Sequence, residues 1–283
     1  MSELALSLQN VTKKYPSGFT LDHVSFDLPG GCIMGFIGEN GAGKSTTIKL
    51  ILDLINRDSG SITLLGRSNV NFPKKKKEEI GVVLDESCLP DTCSVKMVGS
   101  IMRSIYSSWN QNKYNELIRK FDLPEKKLIK DYSRGMKTKL SIAVALAHNP
   151  KLLILDEATS GLDPVVRDEI LDIFLDFIQE EDHTILISSH ILSDLEKICD
   201  YITFIHKGKV LFCKPKDELL EEYGVLKCSE KDLASIDPSI IKGVRKNQFG
   251  VEALVLRKEL RGSHVVDRAN IEDIMLYHVK EER

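Results

Sequence analysis

The sequence has no long hydrophobic run. No apolar stretch reaches the roughly 18–20 residues that a membrane-spanning helix needs. The first ten residues, MSELALSLQN, also lack the basic start and the cleavage-site pattern of a signal peptide. We therefore expect a chain that does not itself span a membrane and that is not secreted.

The chain also has no excess of basic residues. The chain has 39 Lys and Arg against 42 Asp and Glu, so its formal net charge is −3, and we do not expect it to bind nucleic acid. Its cysteines are scattered without a C-x-x-C spacing, and Cys88 and Cys93, the closest pair, have no pair of histidines to complete a metal site. We interpret them as free thiols of a protein in a reducing, cytosolic compartment.

The hydrophobic pattern divides the 283 residues into one large and one small domain. Alternation in LALSLQNVTKKY and TLDHVSFDLPGG predicts antiparallel strands near the start. The short apolar runs CIMGFI, LLILD and TILISS then alternate with helical segments, which predicts an α/β core with a largely parallel sheet. The composition changes after Pro215, where a strand, a hairpin and a terminal helix are predicted. We place the two domains at residues 1–220 and 221–283.

A glycine-rich loop follows the strand CIMGFI. The sequence GENGAGKS has the spacing G-x-x-x-x-G-K-[ST] at Gly38, Gly43, Lys44 and Ser45. Glycines let successive backbone N–H groups turn toward one anion, and the first amides of the following helix point at the same phosphates. Lys44 suits the outer phosphates, and the Ser45 hydroxyl suits Mg²⁺. The loop predicts a bound nucleoside triphosphate, with further contacts from Asn40, Gly41 and Thr46.

Two carboxylates end a second buried strand, LLILDE, far downstream. They emerge at the carboxyl end of the strand, where α/β sheets bind ligands. Asp156 suits direct or indirect support of Mg²⁺, whereas Glu157 would face the γ-phosphate and polarise a water molecule. Together with the glycine loop, these acids predict a site that hydrolyses the bound triphosphate.

From here the sequence resembles the ABC ATPase family. YSRGMKTKLSIAVALAHNPKLLILDEATSGLDP, residues 132–164, is similar to the signature helix, Walker B strand and D-loop of that family in unbroken succession. ILISSHIL matches the segment with the switch histidine, which puts His190 in that role, and Tyr15 stands where the family has its adenine-stacking aromatic. The resemblance covers roughly residues 3–215 and implies a P-loop ABC cassette. Such a cassette has a largely parallel core sheet, an antiparallel N-terminal β-subdomain and an α-helical signature subdomain, to which a small α+β C-terminal accessory domain would be added here.

The resemblance also implies ATP and Mg²⁺ as cofactors and a dimer as the working unit. Ser133 and Gly135, at the start of the signature helix, would contact the γ-phosphate of ATP held by a second subunit. Asp163 in the D-loop would contact the site of the other subunit. The implied catalytic residues are Glu157, His190 and Lys44. The implied Mg²⁺ ligands are Ser45, Asp85 and Asp156.

Two motifs depart from the family pattern. After the strand IGVV the family has the glutamine of its Q-loop, which helps to ligate Mg²⁺ and links the site to the membrane partner, but this chain has Asp85. A carboxylate is a good Mg²⁺ ligand, whereas its part in coupling is left open. In the signature, Arg134 and Met136 replace Gly and Gln, while Ser133 and Gly135 are retained. YSRGM and the terminal NIEDIMLYH resemble the ABC-2-type branch, whose ATPases serve exporters of drugs, peptides or cell-surface material.

Three functions are compatible with this resemblance, and we favour the first. It is an ATP-hydrolysing subunit that powers a separate integral membrane permease, an exporter in preference to an importer. A homodimer, or a heterodimer with a related ABC ATPase, would close on ATP and reopen after hydrolysis, in the cytoplasm at the inner face of the cell membrane. A groove around residues 85–128 would receive a helix of the permease. The second function is a soluble ABC ATPase acting on other macromolecules, and the third is a cassette that binds ATP and regulates without hydrolysis.

Overall fold

The computed structural model describes residues 3–85, 88–247, 250–262 and 264–281. The first half of the chain contains β1 (Leu4–Lys14), β2 (Thr20–Pro29), β3 (Ile33–Ile37), α1 (Lys44–Ile51), β4 (Ser59–Leu64), β5 (Arg67–Ser68), α2 (Lys74–Lys77), β6 (Ile80–Val83), α3 (Val95–Ile105), α4 (Gln111–Lys120) and α5 (Arg134–Ala147). The second half contains β7 (Leu152–Asp156), α6 (Pro164–Phe177), β8 (Thr184–Ser188), α7 (Leu192–Ile198), β9 (Tyr201–His206), β10 (Lys209–Pro215), α8 (Lys216–Glu222), β11 (Tyr223–Cys228), α9 (Glu230–Leu233), β12 (Ile241–Asn247), β13 (Gly250–Leu256), β14 (Val266–Arg268) and α10 (Ile271–Glu281).

A six-stranded sheet in the order β10-β9-β3-β8-β7-β6 forms the centre of the molecule. All its neighbouring pairs are parallel except the edge pair of β10 and β9. Every residue of β3, β7 and β8 is buried, because layers of structure cover both faces of the sheet. This explains their unbroken apolar runs, and the predicted parallel core is confirmed.

Alternate side chains of the central strands enter two different cores. Met34 and Phe36 of β3 pack with β1, β2, β4 and α1, which lie on one side of the sheet. Ile33 and Ile37 of the same strand pack on the other side, with α3 to α7. The period of two in a strand produces this division. The predicted antiparallel sheet near the N-terminus is present on the first side, in the order β2-β1-β4-β5.

The helices α3, α4 and α5 form the segment that carries the signature sequence. Tyr114 of α4 is 1% exposed, and its hydroxyl donates a hydrogen bond to the Val95 carbonyl of α3 over 3.0 Å. α5 begins after Ser133, whose hydroxyl accepts a hydrogen bond from the Met136 amide over 3.2 Å and so caps the helix. The helical pattern predicted for this region is confirmed.

The last part of the chain forms a four-stranded antiparallel sheet in the order β12-β13-β11-β14, against which α10 packs. α10 also packs on α7, and the Ile271 amide at its start donates a hydrogen bond to Glu196 Oε2 over 3.3 Å. Ile271 and Ile274 belong to the same apolar core as α3 to α7. The domain boundary between residues 220 and 221 stays a prediction. Among the helices of the described residues, none is long and apolar enough to cross a membrane.

A buried charged pair joins α6 to α7. Arg167 Nε lies 3.7 Å from Asp194 Oδ2, with the two side chains 24% and 6% exposed. Arg167 also donates a hydrogen bond to the Leu162 carbonyl, just before α6. Burial raises the pKa of the Asp194 carboxyl, and the nearby Arg167 and Thr159 side chains oppose that rise in pKa. Arg167 therefore compensates a carboxylate that the fold has taken out of water.

We expect Arg167→Met to lower the free energy of unfolding by roughly 3 kcal/mol, because it leaves a buried carboxylate without its cation. Loss of the cation raises the pKa of Asp194 in the folded state further above its value in the unfolded chain. The folded variant then binds a proton more readily than the unfolded chain, so the deficit is largest at neutral pH and shrinks as the pH falls. Urea unfolding at about pH 7.5 and about pH 5 measures both effects.

The double variant Arg167→Met/Asp194→Asn is the control, since it removes the buried charge together with its partner. We expect it to recover part of the lost stability at neutral pH and to show a weaker pH dependence. If both variants lost the same stability at both pH values, the pair would have no electrostatic role.

Candidate functional site

The loop between β3 and α1 curls so tightly that two of its positions require glycine. Gly43 has φ +116°, and a Cβ atom there would lie 2.5 Å from Leu21 Cδ2. At Gly38, a Cβ atom would lie 2.4 Å from the Ile205 carbonyl oxygen. A side chain at either position would push the loop away from β2 and β9. The glycines therefore hold the loop close to the sheet and turn its backbone toward the start of α1.

Lys44 places a cation inside this loop. Its side chain is only 6% exposed, and Nζ donates hydrogen bonds to the carbonyls of Gly38 over 2.7 Å and Glu39 over 3.3 Å. The amides in the first turn of α1 lack acceptors within the helix and add the positive end of the helix dipole. An anion at the start of α1 would meet these amides and the ammonium together.

Ser188, the last residue of β8, orients both acids at the end of β7. Asp156 and Ser188 are directly paired in the parallel sheet. The Ser188 hydroxyl donates a hydrogen bond to Asp156 Oδ1 over 2.6 Å, and the Ser188 hydroxyl oxygen accepts one from the Glu157 amide over 3.1 Å. The Glu157 amide also donates to the Ser188 carbonyl over 3.1 Å. The positions of the two carboxylates therefore depend on a residue of the neighbouring strand.

The Glu157 carboxylate lies between two basic side chains. Its Oε2 is 2.6 Å from His190 Nδ1, and its Oε1 is 3.8 Å from Lys44 Nζ. Glu157 has φ +54°, a left-handed conformation that is uncommon for a residue with a side chain and that often marks functional sites. The backbone turn brings the carboxylate next to the glycine loop, and the histidine fixes its direction.

These groups surround a cavity of about 620 Å³, which is within the size range of small-molecule sites. The predicted residues that line it are Asn40, Gly41, Gly43, Lys44, Ser45, Thr46, Asp85, Glu157 and His190. Four further residues line the same cavity, namely Phe19, Glu39, Arg134 and Ser160. The structure thus brings together most of the residues predicted for binding and hydrolysis.

The other predicted residues lie outside the cavity wall. Gly38 and Asp156 are buried behind it. Ser133, Gly135 and Asp163 lie at the starts of α5 and α6, where Ser133 and Asp163 are exposed and cap the two helices. Their roles toward a second subunit stay predictions.

Among the described residues, the aromatic ring on the cavity wall belongs to Phe19, not to Tyr15. The two rings are neighbours, with centroids 6.3 Å apart. Adenine stacking by Tyr15 stays a prediction. Phe19 was not predicted as a site residue, because it lies on the other side of the turn that follows Tyr15. Its only sequence signal is that it is the second aromatic residue in this hairpin.

Ser188 was also missed as a site residue, although it lies two positions before His190 in ILISSHIL. A small polar residue at the end of a buried strand is a weak signal when taken alone. Its hydrogen bonds to both acids appear only when the register of β7 and β8 is known.

Known proteins are similar to this chain in sequence and in fold. A family model described as ABC transporter matches residues 21–160. The bacitracin transport ATP-binding protein BcrA of Bacillus licheniformis is 40% identical over 215 residues, which cover 74% of this chain and 69% of that protein. The linearmycin resistance ATP-binding protein LnrL of Bacillus subtilis is 31% identical over 268 residues, which cover 92% of this chain and 86% of that protein.

A solved structure of an ATP binding subunit of an ABC transporter matches the fold with a TM-score of 0.69 and 28% identity, over 76% of this chain and 91% of that structure. The predicted P-loop ABC cassette is therefore confirmed. With its glycine loop, its paired acids and its histidine around one cavity, the chain belongs to the ABC transporter family, as one of the subunits that bind and hydrolyse ATP.

Proposed function

We propose that this chain powers a separate integral membrane permease, an exporter, by closing as a dimer on ATP and reopening after hydrolysis. One observation supports the proposal: the glycine loop, Glu157 and His190 line one cavity, whereas the signature residues Ser133 and Gly135 lie outside that cavity at the start of a different helix. A nucleotide in the cavity of one subunit can therefore be contacted by the signature residues of another.

Mg²⁺ would enter with the triphosphate. It keeps several water ligands and is usually held by one or two carboxylates together with phosphate oxygens. The Ser45 hydroxyl and the Asp85 carboxylate line the cavity, and Asp156 lies behind it with Oδ1 held by Ser188. This set of oxygen donors fits the ion, which would neutralise charge on the phosphates.

Hydrolysis would then use groups that are already in place. Lys44 and the amides at the start of α1 bind the phosphates, and the Glu157 carboxylate orients a water molecule for attack on the γ-phosphate and accepts its proton. His190, whose Nδ1 lies 2.6 Å from Glu157 Oε2, keeps that carboxylate in one direction. The closed dimer would exclude bulk water from this reaction.

The second subunit would supply the start of α5. Ser133 and Gly135 belong to the beginning of a 14-residue helix whose first-turn amides favour an anion. Asp163, at the start of α6, is exposed and would meet the opposite subunit. Two identical cavities would give a symmetric homodimer, and a related ATPase could replace one copy.

The permease would dock beside the signature helix, which would hold this chain at the inner face of the membrane. Met97, Ile101 and Ile105 of α3 are exposed apolar residues spaced by four positions, so they form one stripe along the helix. A groove of about 590 Å³ lies between the end of β6 and α5.

The export direction is supported by the resemblance to the ABC-2-type branch and by relatives named for bacitracin transport and linearmycin resistance.

Lys44→Ala should raise the Kd for ATP by roughly tenfold to a hundredfold, because it removes charge-assisted hydrogen bonds to the phosphates. Isothermal titration calorimetry measures the change. Lys49→Ala, an exposed lysine on the same helix, is the matched control and should leave the affinity unchanged. An unchanged Kd in Lys44→Ala would remove the lysine from the binding site.

Glu157→Gln should reduce the steady-state turnover of ATP by about a hundredfold or more, because an amide cannot accept the proton of the attacking water. With Mg²⁺ and ATP it should also accumulate as a dimer in light scattering, since closure no longer leads to hydrolysis. Glu169→Gln, on the surface of α6, should behave like the wild type. Turnover at the wild-type rate in Glu157→Gln would exclude this residue from catalysis.

Met97→Ser/Ile105→Ser should weaken binding to the permease without changing ATP binding, because it removes apolar contact area from α3. Affinity purification from detergent-solubilised membranes, with mass spectrometry of the bound proteins, measures the association. Leu54→Ser, another exposed apolar position, is the control. Recovery of no integral membrane protein with the wild-type chain would contradict the proposed function.

A further inference from the structure

Two of the three residues that depart from the family pattern, Asp85 and Arg134, contact each other. The Arg134 guanidinium Nη2 lies 2.5 Å from Asp85 Oδ1, although the residues are 49 positions apart in the sequence. Asp85 closely follows β6 of the central sheet, and Arg134 is the first residue of α5. The ion pair therefore connects the sheet directly to the start of the signature helix.

The same pair separates two cavities. Asp85 and Arg134 both line the nucleotide cavity, together with Lys44 and Glu157. Both also line the neighbouring groove between the end of β6 and α5. A change in the position of either side chain would consequently alter the walls of both spaces at once.

A magnesium nucleotide would compete with Arg134 for the Asp85 carboxylate. Asp85 can give its carboxylate oxygen to Arg134 or to Mg²⁺, and a divalent ion attracts a carboxylate more strongly than a guanidinium does at the same distance. The two side chains are 58% and 48% exposed, so the pair contributes little stability of its own and opens at small cost.

We propose that the Asp85–Arg134 ion pair is a latch that holds the start of the signature helix to the sheet and is released when a magnesium nucleotide binds. Release transfers Asp85 to the metal side of the cavity and leaves Arg134 and the first turn of α5 free to move toward a second subunit. Arg134 acts as a positioning residue, and Asp85 becomes a ligand of the metal. The inference rests on the proposed function, because it requires Mg²⁺ and ATP in this cavity.

The latch predicts a specific effect on the metal dependence of ATP binding. We define the magnesium enhancement as the Kd for ATP in EDTA divided by the Kd with Mg²⁺. Arg134→Gln frees Asp85 in advance, so the enhancement should rise by about twofold to fivefold, the range expected for an exposed ion pair. Asp85→Asn should lower the enhancement, and the double variant should match Asp85→Asn, because no carboxylate is left to release.

Lys151→Gln is the matched control. This variant breaks the ion pair between Lys151 and Asp182, which has nearly the same length, 2.6 Å, and similar exposure, 46% and 59%. The two residues lie just before β7 and β8, at the opposite end of the strands from Asp85. We expect no change in the magnesium enhancement in this variant.

Hydrogen exchange provides a measurement that does not depend on catalysis. In the nucleotide-free protein, Arg134→Gln and Asp85→Asn should each speed amide exchange in residues 133–138 by a similar factor, with no further increase in the double variant. Magnesium ADP, which lacks the γ-phosphate on which the proposed dimer closes, should speed exchange in these residues of the wild-type chain above its nucleotide-free rate, as Arg134→Gln does. Lys151→Gln should leave this segment unchanged.

Two results would overturn the latch. One is an unchanged magnesium enhancement in Arg134→Gln. The other is that Arg134→Gln raises the magnesium enhancement by the same factor in the Asp85→Asn background as in the wild-type chain. Either result, obtained while Lys44-dependent ATP binding persists, would leave the proposed function intact. Absence of ATP binding in the wild-type chain would instead contradict the proposed function itself.

Discussion

The register of three adjacent parallel strands determines the whole site. β3 pairs with β8 through Phe36 and Ser188, and β8 pairs with β7 through Ser188 and Asp156, so the three strands end at the same level. The glycine loop follows β3, Glu157 follows β7 and His190 follows β8. A shift of one residue would turn every side chain to the other face, and a shift of two would move a strand by about 6.6 Å. Either change would separate contacts that are now 2.6 Å long between Ser188 and Asp156 and between Glu157 and His190.

The register also explains how the chain tolerates the strained backbone of Glu157. A left-handed conformation of a residue such as Glu157 costs on the order of 1 kcal/mol or more. Its amide donates hydrogen bonds to both the carbonyl and the hydroxyl of Ser188, and these bonds exist only because β8 ends beside β7. The backbone ladder of the sheet thus stabilises a turn that local preference alone would not select. The carboxylate emerges toward Lys44 as a consequence of this turn.

The sequence was sufficient for the parts of the site whose chemistry is local. The glycine loop, Lys44 and the two acids that end LLILDE were predicted because each motif combines a buried strand with the polar residues at its carboxyl end. The ion pair of Asp85 and Arg134 could not be predicted, since nothing in two exposed charges 49 positions apart indicates that they meet. The positions of Phe19 and Tyr15 relative to the cavity depend on the twist of one hairpin, which periodicity does not define. Elements as short as β5, β14 and α9 are likewise too brief for a hydrophobic period.

Differences in burial indicate which contacts of the site yield first. α7, which follows His190, is held from one side by the buried pair of Arg167 and Asp194 and from the other by α10, whose first amide bonds to Glu196. Breaking these contacts would expose apolar core and leave a carboxylate buried without its cation. The start of α5 is held to the sheet by an ion pair whose side chains are about half exposed and can be solvated as soon as they part. Binding energy from a nucleotide is therefore expected to move the signature helix before it moves α7. The contact between His190 and Glu157 would then stay fixed while the start of α5 changes its position.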